Sequence, residues 1–427
     1  MQVSIKLTVT FELTVTDWVE NPSSLSRCRM RIGMMTDVYK PHVSGITNYI
    51  SLNKEYLEKA GHEVFIFTFG DLDYAGDEQR VVRSPGLPLT DTGYTLSFRY
   101  SRQAKALLQT MDLVHVHHPF LSGRLALNYC RPLRIPIVFT NHTRYDLYAQ
   151  AYLPLLPEEL SDTFLQTYLP TFCQAVDLVI SPSVGMGEVL RKLGVSTPIE
   201  IIPNGVDLQL YRATTEDCRP EFGFREDDLL LIFSGRLGPE KNLDFLIRAF
   251  AGTAEAIPNA HLLVIGGGPE DQALKQLAAQ TGAANRIHFT GMLPYNELPR
   301  YLSMGDIFVT ASQTEVHPLS IVEAMASGLP VLGIHSVGVG DTVEEAVTGL
   351  LASPDQAAFA ALLTRLCLDR DLRHGMGTAA RKASGKYAIE HTTQVLLKRY
   401  ERLLSEFAPH RRGLIFHIRN LVEKLRT

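Results

Sequence analysis

Nowhere does the sequence hold the ~18 consecutive apolar residues that a membrane-crossing helix requires. It has no cysteine pairs at CxxC spacing and no Cys/His ligand spacing. Its five cysteines, Cys28, Cys130, Cys173, Cys218 and Cys367, lie far apart, which fits free thiols in a reducing compartment and argues against structural zinc. Nor is there a basic excess: 41 Lys and Arg stand against 46 Asp and Glu, a formal charge of −5. The chain therefore carries no general attraction for nucleic acid, and any phosphate or membrane contact must be local. These absences point to a cytoplasmic location.

What is present is a globular composition. Hydrophobic residues make up 45% and charged residues 20% of 427 positions, more than one ordinary core holds, so two domains are expected, with room for a third. "VSIKLTVTFELTVT" near the start alternates apolar and polar residues as a strand does. It lacks the basic start and continuous apolar centre of a signal peptide. Residues 1–29 are read as an N-terminal extension outside the core, without assigned function.

From Met30 the pattern is strand, loop, helix, repeated. "MRIGMMTD", "HEVFIFTF", "LVHVHH", "PIVFTNH" and "LVISPS" are compact apolar runs that end in polar residues. Strands alternating with helices mean βαβ units and a parallel sheet covered on both faces. After the turn at Pro203-Asn204-Gly205 a second series runs through "LLLIFSGRL", "HLLVIGGGP", "IHFTG", "IFVTAS" and "PVLGI". The expected division is an extension at 1–29, an α/β domain at 30–205, a second at 206–385, and a crossover helix with a tail at 386–427. Ligands of such open sheets bind beyond the strands' C-terminal ends.

At those ends in the second series stand Arg236 and Lys241, then Gly266-Gly267-Gly268-Pro269, then Glu315, and a helix near Leu319 carrying Glu323. An anionic ligand accounts for the set. The amides of Leu319 and Ser320 and the positive end of that helix suit a diphosphate. Arg236 and Lys241 add charge, the glycines admit a ring or ribose, and Glu323 offers acceptors to vicinal hydroxyls. Taken singly, the glycines read more often as a plain turn and the cations as solvated surface. No Asp or His stands beside the two glutamates at metal-ligand spacing.

The Glu315/Glu323 pair at E-x7-E spacing, "GRLGPEKN" and "GGGP" resemble retaining glycosyltransferases of the GT4 type with the GT-B fold, over nearly all of the chain from Met30. The resemblance implies two Rossmann-like doubly wound domains facing across a cleft, with the C-terminal helix crossing back. It assigns the donor diphosphate to Arg236 and Lys241, the nucleotide ribose to Glu323 and the transferred sugar to Glu315. Many members are glycine-rich after the first Glu, where this chain has Val316-His317-Pro318. Pro318 has no N–H, so the phosphate amides are expected at Leu319 and Ser320.

In the first half, Gly45 follows the first strand, where a tight turn and close passage of the donor are both open readings. His142 ends a strand and is expected beside the transferred sugar, with Thr143, Arg144, Tyr145, Asp146 and Tyr148 on the acceptor side. His-Thr-x-Tyr-x-x-Tyr is most similar to glucosyltransferases acting on diacylglycerol. The implied reaction moves a hexose, expected to be glucose from UDP-glucose, to a lipid, sugar or polyol hydroxyl with no metal or other cofactor. Arg99, Arg102 and Lys105 with Phe98 and Tyr100, and a basic amphipathic tail at 410–427, suit an anionic membrane, which implies peripheral contact at the inner face of the cell membrane. A tail helix docked on the protein fits its pattern equally. A sugar-nucleotide epimerase and a non-catalytic sugar-binding protein are the rival classes.

Overall fold

The computed structural model describes residues 29–70, 72, 74, 76, 78–88, 95–147, 158–212 and 218–411. The N-terminal extension, but for Arg29, Tyr148 and the tail from 412 lie outside them. Two parallel sheets carry the fold. The first has seven strands in the order β3-β2-β1-β6-β7-β8-β9: β1 Arg31–Met35, β2 Glu63–Phe69, β3 Val81–Ser84, β6 Leu113–Val116, β7 Ile137–Thr140, β8 Leu178–Ser181 and β9 Ile199–Ile201. The second has six in the order β12-β11-β10-β13-β14-β15: β10 Leu229–Ser234, β11 Ala260–Ile265, β12 Ile287–Gly291, β13 Ile307–Thr310, β14 Val331–Ile334 and β15 Gly349–Ala352. A small antiparallel pair, β4 Leu87–Pro88 and β5 Thr95–Leu96, stands apart.

The strands read from periodicity are all present. Besides the short pair β4 and β5, three strands of the parallel sheets went unread: β3, β9 and β15. Each is an edge strand of three or four residues. β3 (Val-Val-Arg-Ser) and β9 (Ile-Glu-Ile) are half-exposed, so they lack the continuous apolar run that a strand buried on both faces must have. Central strands such as β6, β7, β13 and β14 are buried at every position.

The helix Gly45–Lys59 begins with reciprocal caps: Thr47 N–H donates to Ser44 Oγ at 3.3 Å, and Ser44 N–H to Thr47 Oγ1 at 2.8 Å. The helix Leu319–Ser327 buries six residues, Ile321 through Ala326. It stops where Gly328 takes φ 88°, the left-handed cap that glycine adopts at no steric cost.

The C-terminal helix Ile389–Arg411 crosses back and packs its Leu396, Leu397, Tyr400 and Leu403 against Met30, Ile32, Met34 and Ile50 of the first sheet's core. Burying each leucine contributes on the order of 1.5–3 kcal/mol, more than the partly exposed Arg399–Glu200 ion pair supplies. Both connections between the two sheets run side by side: Val206 N–H donates to Tyr387 O at 2.9 Å, and Ile389 N–H to Val206 O at 3.0 Å. Among the described residues no helix is long and apolar enough to cross a membrane.

Candidate active site

β10 and β13 are neighbours, yet the chain winds from them toward opposite edges of the second sheet. At such a switch point, open α/β sheets bind ligands in the crevice outside the strands' C-terminal ends. The loop after β10 carries Arg236 and Lys241, the loop after β13 Glu315. Lys241 Nζ donates to Glu315 Oε1 at 2.5 Å, with both side chains mostly buried. Ser312 Oγ donates to Glu240 O at 3.1 Å and Asn242 Nδ2 to Ala311 O at 3.3 Å, which stitches the two loops together. Burial alone would push the Glu315 carboxyl up. The Lys241 ammonium, with a smaller contribution from Ser312, outweighs it and holds Glu315 below the ordinary carboxylate range. Arg236 is half exposed and pairs with Glu240 at 3.2 Å.

Glu315 lies just ahead of the helix Leu319–Ser327, whose first position after Pro318 receives no side-chain cap. The amides of Leu319 and Ser320 thus have no acceptor within the helix, and the helix dipole adds partial positive charge beside Lys241. Glu323 sits on the inward face, 5% exposed, and Tyr295 OH donates to its Oε1 at 3.0 Å. Burial raises the Glu323 carboxyl to about 7, against the pull of the Tyr295 and Tyr211 hydroxyls.

The glycine run has a packing reason of its own. A Cβ on Gly266, at φ +139°, would lie 1.9 Å from Gly235 O, and one on Gly268 would lie 2.4 Å from Leu237 O. Both positions are closed by the loop after β10, to which Gly267 O is tied by the Leu237 N–H at 2.9 Å. What the glycines permit is contact between these two loops. Pro269 follows directly and leads into the helix Asp271–Ala279.

The first sheet has its own divergence point between β1 and β6. Gly45, first residue of its helix, faces open space where a Cβ would stand. The loop after β6 brings in residues that the motif reading passed over. His142, after β7, has Nε2 3.1 Å from His117 Nδ1 and packs edge-on against Tyr49 at 4.8 Å between ring centres. His115 is satisfied on both sides, with Nδ1 2.5 Å from Tyr400 OH and Nε2 2.7 Å from Thr140 Oγ1. His118 Nδ1 is 3.2 Å from both the Thr36 hydroxyl and the Asp37 amide. Burial, then the neighbouring imidazoles, holds His142 and His117 neutral, well below the ordinary histidine value. His117 Nε2 is buried and finds no hydrogen-bond partner among the described residues. Three histidines in "HVHHP" at a strand end were the available signal.

The acceptor-side expectation is narrowed. Tyr145 is a core side chain, 1% exposed and edge-on to Phe120 at 5.3 Å. Arg144 and Asp146 close on each other at 2.7 Å, so neither presents an unpaired charge. Thr143 is half-buried and its carbonyl accepts from Asn141 Nδ2 at 3.0 Å. His142 is thus the residue of that loop placed among the histidines.

The two halves meet here. After burial, the Arg236 charge is what lowers the His42 imidazole most, and His42 lies in the loop after β1. Val316, next to Glu315, packs in the first sheet's core. Asn204 Nδ2 donates to His317 O at 3.3 Å, and Gly185 N–H donates to Asp341 Oδ2 at 2.7 Å. His317 itself is a buried ring set edge-on to Tyr387 at 4.9 Å. Burial, with Lys386, lowers its pKa to about 4, so it is neutral. Among the described residues no three His, Cys, Asp or Glu side chains are grouped to hold a metal ion.

Two family models match. "Glycosyltransferase Family 4" covers residues 43–210, and "Glycosyl transferases group 1" covers 214–383. The chain is 29% identical over 354 residues to the alpha-monoglucosyldiacylglycerol synthase of Streptococcus pneumoniae, covering 80% of each chain. It is 30% identical over 324 residues to the D-inositol 3-phosphate glycosyltransferase of Nocardia farcinica, covering 73% of this chain and 71% of that one. Among solved structures, a sucrose-phosphate synthase from Thermosynechococcus elongatus superposes with TM-score 0.74 at 22% identity, covering 88% of this chain and all of that one. Anabaena Alr3699/HepE in complex with UDP and glucose superposes with TM-score 0.70 at 21% identity, over 88% and 100%.

Proposed function

The chain belongs to the family 4 glycosyltransferases with the GT-B fold, and from that premise we propose that it moves glucose from UDP-glucose to a hydroxyl of a membrane glycerolipid such as diacylglycerol, with retention of configuration. One observation carries the reading: Lys241 meets Glu315 just ahead of an uncapped helix N-terminus, and Arg236 of the Lys241 loop bears on His42, in the loop after β1 of the other half. A crevice lined in this way holds an anion on one side and a sugar on the other. The lipid acceptor is supported by the alpha-monoglucosyldiacylglycerol synthases of Streptococcus pneumoniae and Acholeplasma laidlawii among the relatives.

In this reading Arg236, Lys241 and the amides of Leu319 and Ser320 hold the donor diphosphate, and Glu323 accepts from the ribose hydroxyls. Gly45 leaves room for the diphosphate sugar. Glu315, its own charge balanced by Lys241, holds the hexose, and neutral His142 hydrogen-bonds it from the opposite wall. The acceptor oxygen forms its bond to the anomeric carbon from the face that the diphosphate leaves. The bond from that carbon to the phosphate oxygen breaks, and the acceptor's proton passes to the departing phosphate. Fixed positive groups stabilise the charge that grows on the diphosphate, in general the largest electrostatic contribution an enzyme makes. The groups named supply that charge within the chain, so no metal is invoked.

The test is the full chain with UDP-glucose and diacylglycerol in mixed micelles. Mass spectrometry should find monoglucosyldiacylglycerol, and the anomeric coupling in proton NMR should be that of the α-linked sugar. Product on a soluble polyol alone would replace the acceptor, a β-linked product would reject retention, and an epimerised donor without transfer would reject the reaction.

A further inference from the structure

His117 combines complete burial with a nitrogen that has no partner, which a residue retained for packing alone would not show. Its side chain is 0% exposed, and its Nε2 finds no hydrogen-bond partner among the described residues. An orphaned polar atom in a protein interior costs stability, and an apolar side chain of similar volume would avoid that cost. The neighbouring His115 shows the satisfied alternative, with Tyr400 and Thr140 on its two nitrogens. What the other nitrogen of His117 provides is a contact with His142: Nδ1 lies 3.1 Å from His142 Nε2.

Both backbones beneath this contact are fixed. β6 and β7 are parallel neighbours, with Val116 in register with Phe139. One residue on, His117 N–H donates to Met35 O at 3.0 Å. Asn141 N–H donates to Ile180 O at 3.0 Å, and Asn141 Nδ2 to Thr143 O at 3.0 Å, which sets the turn that carries His142. The Tyr49 ring stands edge-on to both imidazoles, its centre 4.8 Å from that of His142 and 5.7 Å from that of His117. Turning the His142 ring over would put Cε1 where Nε2 stands and lose the bond to His117.

The pair also decides where the protons sit. A neutral imidazole carries one N–H and one bare nitrogen. If His142 Nε2–H donated, His117 would keep its own proton on Nε2, where no acceptor stands among the described residues. If His117 Nδ1–H donates, the orphan is a bare lone pair, and unpaired N–H groups are the rarer of the two in folded interiors. In this second arrangement the His142 proton lies on Nδ1. His142 keeps some exposed surface, so Nδ1 is the nitrogen left for a ligand.

We propose that His117 is a positioning residue for His142: its Nδ1–H donates to His142 Nε2, which commits His142 Nδ1–H to the cleft as a donor to a hydroxyl oxygen of the donor's hexose. The inference deepens the glycosyl-donor reading and rests on it for the hexose. The histidine pair itself depends on neither the acceptor nor transfer.

Imidazole 15N–1H correlation spectra of the full-length, histidine-labelled chain read the proton positions, with the two rings assigned from His117→Leu and His142→Gln. Both rings should carry their proton on Nδ1. UDP-glucose should shift the His142 Nδ1–H signal, and UDP alone should not. In His117→Leu, His142 should populate both tautomers, and kcat should fall about tenfold, the worth of one hydrogen bond. The thermal shift produced by UDP should stay as in the wild type, which shows that the variant is folded. His117→Asn, whose amide can donate from the place of Nδ1, should recover kcat to within about threefold of the wild type. His117→Phe, which fills the space without a donor, should not. A proton on His142 Nε2, or a His142 signal unmoved by UDP-glucose, would overturn the proposal, and the wild-type spectra decide both even where a variant fails to fold. Leu and Phe variants as fast as the Asn variant would overturn it too, since that is the result of a packing role. The expected spectra without glucosylation of diacylglycerol would reject only the acceptor. Glucosylation with the His142 proton on Nε2 would reject only the role of His117.

Discussion

Lys241→Ala tests the centre of the reading, because Lys241 serves two purposes that differ in size. Structurally it balances Glu315 across 2.5 Å, with side-chain exposures of 22% and 17%. Stripping the partner from a fully buried pair costs about 3–5 kcal/mol, and from an exposed pair less than about 1. At this exposure the expected loss of stability is about 2 kcal/mol. It should be confined to pH values where Glu315 is ionised. Lys241 keeps the folded-state carboxyl below its unfolded value, so the stabilisation is present above that unfolded value, near 4.5, and vanishes as pH falls through the folded one. Chemically, removing one fixed positive group from a developing anion costs about 10²–10³ in kcat. Denaturant unfolding at pH 7 and pH 3.5 reads the first quantity, and steady-state transfer to diacylglycerol reads the second. Adding Glu315→Ala to Lys241→Ala should restore most of the stability and none of the rate. Lys241→Ala within about tenfold of wild-type kcat would refute the charge argument. Equal destabilisation at both pH values would refute the ion-pair argument.

Three further outcomes follow from the same geometry. Glu323, its carboxyl raised to about 7 by burial, binds a proton in the folded state that the unfolded chain has lost, so it costs stability progressively as pH climbs from about 4.5 to 7; Glu323→Gln should gain about 3 kcal/mol over wild type at pH 8 in denaturant unfolding while weakening UDP-glucose binding by calorimetry about tenfold. Gly266→Ala sets a Cβ 1.9 Å from Gly235 O at φ +139°, and its denaturation midpoint should report a loss of at least about 3 kcal/mol. Asp341→Ala removes the carboxylate that accepts from Gly185 N–H across the two halves; the loss should be about 1 kcal/mol, with a wider mean separation of the halves in small-angle scattering.

The central strands were legible because parallel strands with both faces covered are buried at every position and mostly apolar, as Leu113–Val116 and Ile307–Thr310 are but for His115 and Thr310. The edge strand Val81–Ser84, with Arg83 inside it and one side open to water, has no such constraint and left no pattern. The E-x7-E spacing and the "GRLGPEKN" loop named Lys241 and Glu315 in advance. The direct 2.5 Å contact between them was not legible, since it depends on how two loops 74 residues apart are stitched. Tyr145 illustrates the opposite error. A tyrosine in a polar loop looks like a ligand contact, but this one packs against Phe120 inside the core.

Local chemistry, then, determined by sequence alone that both halves are built of βα units, which residues end their central strands, and the kind of ligand those residues suit. Tertiary structure decided which strand ends face each other. Only the winding order of each sheet puts the loops after β10 and β13 at one crevice, and those after β1 and β6 at another. Only the crossing helix Ile389–Arg411, with Tyr400 against His115, ties the C-terminal part of the described chain to the histidines of the first sheet. Those contacts join residues up to 285 positions apart. Hydrophobic periodicity is a short-range property and carries no information about pairings at that distance.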